Sequence, residues 1–77
     1  MEQFISEKLK QSREDADLSI DSLMIELANM GLTVHTNTLR NWESGNSVPG
    51  ADDLAVIASF YKKPVKYFFA RNDNQNS

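Results

Sequence analysis

A small all-α domain is the fold class that three features of this sequence predict. Apolar residues recur at spacings of three and four in successive segments. Helix-ending signals at Gly31, Gly45 and Pro49 separate those segments. The one β-prone run between them, Leu32-Thr33-Val34, is too short for a strand and has no partner elsewhere.

From Gln3 to Arg13, the apolar residues Phe4, Ile5 and Leu9 form a narrow stripe, widened by the stem of Lys8 and by Ser12, which predicts helix one. The acidic stretch Glu14 to Asp17 interrupts it. Ser19 is placed to cap a second helix whose apolar positions Ile20, Leu23, Met24, Leu27 and Met30 lie on one side, with Gly31 ready to end it in a left-handed turn. Leu32 to Val34 reads as a connection. A third helix starts near His35 or Thr36, turns Leu39 and Trp42 inward and ends at Ser44, before Gly45. Asn46 to Gly50 make a loop, because Pro49 disfavours helix at Val48. Asp52 and Asp53 belong in the first turn of a fourth helix, where negative charge complements the helix dipole, and Leu54, Ile57, Ala58 and Tyr61 form its inner face. Pro64 suits the first position of a short fifth helix carrying Val65, Phe68 and Phe69 inward. Residues 1–70 thus form one domain, and residues 71–77, with nothing to bury, are expected as a disordered polar tail.

A chain of 77 residues with 40% hydrophobic and 25% charged residues supports one compact core. Cysteine is absent and His35 is the sole histidine, which excludes disulfides, thiolate or multi-histidine metal sites and cysteine nucleophiles within the chain. A lone histidine at a helix start reads as a cap or surface residue. No nucleophile–base pair or glycine-rich phosphate loop is legible, and the dipole accounts for Asp52 and Asp53, so no enzyme, no small-molecule substrate, no metal and no cofactor is expected. No apolar run approaches the roughly 20 residues of a membrane span. Met1 to Lys10 has no basic stretch leading into an apolar one, so no signal peptide is legible and the cytoplasm is the expected location.

The net charge of −3 and the isoelectric point near 4.9 exclude binding to polyanions by bulk charge. The charges are also segregated. Glu14, Asp15, Asp17 and Asp21 form an acidic block, and Lys62, Lys63, Lys66 and Arg71 a basic one, while residues 27–51 carry only Arg40 and Glu43. The middle of the chain therefore carries little negative charge with which to repel a partner.

In that middle stand Leu39, then Trp42, Glu43 and Gly45, with Pro49 four residues on. Leu54-Ala55-Val56-Ile57-Ala58 and Lys63-Pro64-Val65 to Phe69 follow. With the helical pattern of residues 4–69, these resemble the Cro/repressor-like (XRE-type) helix-turn-helix family of phage and bacterial regulators. The resemblance implies a five-helix lambda-repressor-like domain whose third helix lies in the major groove of double-stranded DNA. On it, Thr36, Asn37 and Asn41 would read base edges. An Asn amide can pair with adenine N6 and N7, and a Thr methyl can meet that of thymine, which suggests an A·T-leaning half-site. His35, Thr38, Arg40 and Asn46 would hold phosphates. The family also implies an ion pair between Arg13 and Glu43, fixing helix three against helix one. Thr and Asn are poor helix formers, costing roughly 0.5 kcal/mol each relative to better ones, and such a concession on an exposed face suits a binding surface.

The stretch from Ser19 to Trp42 is about five residues longer than in that family, so either helix two or the turn after it should be lengthened. Ile20 stands where the family often places a phosphate-binding glutamine. Asn46, Ser47 and Val48 replace a usually basic loop, which predicts a shallow salt dependence. The resemblance therefore implies a sequence-specific transcriptional repressor acting as a homodimer on two half-sites about 34 Å apart. Tyr67, Phe69 and Lys66 would contribute the dimer surface. The alternative is a protein-interaction module, antitoxin-like or an anti-repressor, that keeps the fold without binding DNA.

Overall fold

The computed structural model describes residues 2–71. It contains four α-helices, one 3-10 turn and a two-stranded sheet, in the order β1 (Glu2–Phe4), α1 (Ser6–Asp15), α2 (Ile20–Asn29), α3 (Thr36–Ser44), α4 (Ala51–Phe60), a 3-10 turn over Val65–Phe68, and β2 (Phe69–Arg71). The second and third helices lie where their periodicity predicts, and the fourth begins with Asp52 and Asp53 in its first turn.

Both ends differ from the expected five helices. Helix one starts at Ser6 rather than Gln3, because Glu2, Gln3 and Phe4 pair antiparallel with Arg71, Ala70 and Phe69. Phe4 and Phe69 are directly opposite in this ladder, with ring centroids 5.9 Å apart edge-to-face, and Ile5 N–H donates to Phe68 C=O at 2.8 Å. An aromatic cross-strand pair outweighs the continuation of the helical stripe of Phe4, Ile5 and Leu9, which a single extra turn of helix would serve. Pro64 likewise begins no α-helix but precedes a 3-10 turn whose last residue, Phe68, is fully buried. Arg71 belongs to β2, and the tail expected beyond it lies outside the described residues.

The core consists of Leu9, Leu23, Leu27, Leu32, Leu39, Trp42, Leu54, Ile57, Ala58 and Phe68. Met30 and Val65, expected to face inward, are exposed. Met30 falls at the C-cap of α2, past its last turn, and Val65 opens a turn too short to bury it against α4. Helix α2 has ten residues, and the connection Met30–His35 joins it to α3. That segment is anchored by Leu32, whose N–H donates to Leu27 C=O at 2.9 Å while its side chain enters the core.

Candidate nucleic-acid interface

Helix α3 is amphipathic and held from behind. Its inner residues Leu39 and Trp42 are buried, and it packs on α1 and α2. Trp42 is therefore a core residue and no stacking platform. Glu43 lies beside this inner face. Arg13 of α1 donates from Nε to both Glu43 carboxylate oxygens, at 2.9 and 3.1 Å, and from Nη1 to Leu18 C=O at 2.7 Å. The two side chains are 15% and 9% exposed, so this pair is screened from solvent far more than a surface ion pair. The Glu43 hydrogen bond raises the Arg13 pKa, opposed by burial and aided by the carboxylate charge, and the guanidinium stays charged throughout. The pair suggested by the family resemblance is thus present, and it ties the C-terminal end of α3 to that of α1.

The outer face is polar. Asn37, Arg40, Asn41 and Asn46 are all exposed. Arg40 Nη1 approaches Asn37 Oδ1 at 3.5 Å, and Asn46 Nδ2 donates to Asn41 Oδ1 at 3.4 Å, so the four form two loosely linked pairs. Such long, exposed contacts are readily exchanged for a ligand's groups. Thr36 and Thr38 are only half-exposed, which leaves the two asparagines as the freest acceptors and donors on the helix. His35 is exposed at the N-cap, where its side chain makes no capping hydrogen bond and its C=O accepts from Leu39 N–H at 3.1 Å. At the other end, Gly45 adopts φ +87°, and Asn46 N–H closes the helix on Asn41 C=O at 3.0 Å. A Cβ on Gly45 would stand 3.2 Å from Ser6 Oγ, so glycine also lets α3 approach the start of α1.

Beside this face lies an open cleft of about 230 Å³, lined by Lys10 and Arg13 of α1, Ile20 of α2, and Arg40, Glu43 and Ser44 of α3. Sequence reasoning placed Arg40 at a phosphate but overlooked Lys10. The signal was available: Lys10 precedes Arg13 by three residues, so a helix that directs Arg13 to α3 directs Lys10 to the same side. Among the described residues no group of acidic, histidine or cysteine side chains could hold a metal ion, and no helix is long and apolar enough to cross a membrane. Compared with protein-family models, with curated proteins and with solved structures, the chain gives no match.

Proposed function

We propose that this chain is a sequence-specific double-stranded DNA-binding regulator of transcription, a repressor of the phage or mobile-element kind. Its fold would be a variant of the lambda-repressor-like helix-turn-helix, with a lengthened turn before the reading helix. The observation that carries the reading is α3 itself. Leu39, Trp42 and the Arg13–Glu43 pair immobilise one side of it, while Asn37, Arg40 and Asn41 stand exposed on the other. A rigid helix presenting amide groups and one cation suits the major groove, where asparagine can pair with adenine. Asn37 and Asn41 read bases, with Thr36 contributing from its half-exposed position. His35, Thr38, Arg40 and Asn46 contact phosphates.

One such helix touches few base pairs, so the functional species is a homodimer in the cytoplasm, bound to two half-sites about one helical turn apart. Tyr67, Phe69 and Lys66 remain the region assigned to its dimer surface. Part of that aromatic area is already used within the chain, by Phe4 against Phe69 and by Lys8 and Lys63 over the Tyr67 ring at 4.8 and 4.1 Å.

The test is selection from a random duplex pool, read by fluorescence anisotropy and sequencing. Wild type should enrich a palindrome with A·T-containing half-sites, and Asn37→Ala with Asn41→Ala should abolish that preference with an unchanged circular dichroism spectrum. A second reading, a protein-interaction module without DNA binding, is favoured by the net charge of −3 and by the uncharged loop in which Val48 is 60% exposed. It prevails if no duplex is enriched and a partner survives the double substitution.

A further inference from the structure

The cleft between α1, α2 and α3 carries charge that the fold does not use. Of its lining residues, Arg13 and Glu43 neutralise one another through two short contacts, and Ser44 Oγ donates to Asn41 C=O at 3.2 Å. Ile20 contributes an apolar wall. Lys10 and Arg40 remain. Both are exposed; Arg40 has only the 3.5 Å contact to Asn37, and Lys10 has no hydrogen bond or ion pair among the described residues. Two cations from different helices, neither in an ion pair among the described residues, therefore line one concavity in a chain whose net charge is negative. The one carboxylate in the lining, Glu43, is taken up by Arg13, so Lys10 and Arg40 repel one another unless an anion occupies the space.

We infer that this cleft seats a phosphodiester of bound DNA, held jointly by Lys10 and Arg40. The inference rests on the proposed DNA-binding role of α3 and adds α1 to the interface through a residue outside the helix-turn-helix. Arg40 is adjacent in sequence to Asn41, so a phosphate fixed in the cleft sets the depth and register at which Asn41 meets a base edge. The Arg13–Glu43 pair lines the same cleft and ties α1 to α3. Lys10 thereby supplies part of the positive charge that the neutral Asn46–Val48 loop lacks.

The experiment measures binding of wild type, Lys10→Gln and Arg40→Gln to the enriched duplex over a salt series, and to duplexes carrying a neutral methylphosphonate at each phosphate in turn. Lys10→Gln should weaken binding to all sequences several-fold and flatten the log–log salt slope by up to about 0.9, the value for one phosphate contact. One methylphosphonate position per half-site should weaken wild type more than it weakens either Lys10→Gln or Arg40→Gln, since each variant has already lost one of the two cations on that phosphate. The joint site is overturned if the Lys10→Gln slope equals that of wild type, or if every methylphosphonate penalty persists undiminished in that variant while Asn37→Ala still loses specificity. If wild type binds no duplex at all, the reading of α3 has failed first and the phosphate site falls with it. Lys10 is exposed, so a circular dichroism melt matching wild type ensures that the variant reports on binding.

Discussion

Tyr61 is the residue least well matched to its surroundings. Its hydroxyl is buried and has no hydrogen-bond partner among the described residues, while Glu43 lies close enough to oppose ionisation. Burial first, then that carboxylate, hold the phenol above its ordinary pKa of 10.0. The folded chain thus keeps a proton that the unfolded chain releases. The resulting stabilisation is complete below pH 10 and is lost as pH rises through the folded value, so stability should fall in base beyond pH 10. Replacing Tyr61 by Phe should remove that alkaline loss and, by relieving an unpaired hydroxyl, raise stability near neutrality by about 1 kcal/mol in urea melts. The Arg13–Glu43 pair behaves oppositely, because each member satisfies the other. Arg13→Ala or Glu43→Ala alone should cost about 1–2 kcal/mol, and the double variant less than the two costs combined, as a double-mutant cycle would measure. Additive losses would mean that the pair contributes no coupling between α1 and α3.

Every helix is ended by a residue in the left-handed region, Asp17, Gly31, Gly45 and Lys62 in turn, each followed by an N–H that closes back onto the last turn. Glycine adopts this conformation freely, whereas a side chain with a Cβ is strained there. Lys62→Gly should therefore stabilise the domain by about 0.5–1 kcal/mol, Asp17→Gly by less because aspartate tolerates the conformation better, and Gly31→Ala should destabilise it by about 1 kcal/mol in thermal melts. These ends also show how much was legible. Gly31 and Gly45 announced their helices' ends by residue type, and Ser19 its helix's start, where its Oγ accepts from Ser22 N–H at 3.0 Å. Lys62 gave no such signal, since its backbone is set by Lys63 N–H reaching Ala58 C=O at 2.9 Å. The short strands were illegible for a related reason. Phe4 and Phe69 each look like a helical core position until they stand opposite one another, and nothing local encodes a pairing between distant segments. The candidate site was legible in its outward asparagines and in Arg40, because α3 has strong apolar periodicity, whereas the cleft needed α1 to be placed in space.

Across the whole molecule, the helical body and the small sheet are organised differently. The helices bury a shared core from neighbouring stretches of sequence, whereas β1 and β2 join segments from opposite ends of the described chain. Lys8 reinforces that junction by donating from Nζ to Tyr67 C=O at 3.1 Å. A pairing so remote in sequence must close a long loop before any of its contacts form, and each strand has only three residues with which to offset that entropy. The body carries most of the buried apolar residues and the helix proposed to read DNA. Closure of the two ends is consequently the step that can reverse without dismantling the rest. In native-state hydrogen exchange, the Ile5 amide, bonded to Phe68, should open at a much lower free energy than the Leu27 and Leu39 amides, whose exchange tracks global unfolding. Equal protection at all three would mean that the terminal clasp and the helical body form one cooperative unit.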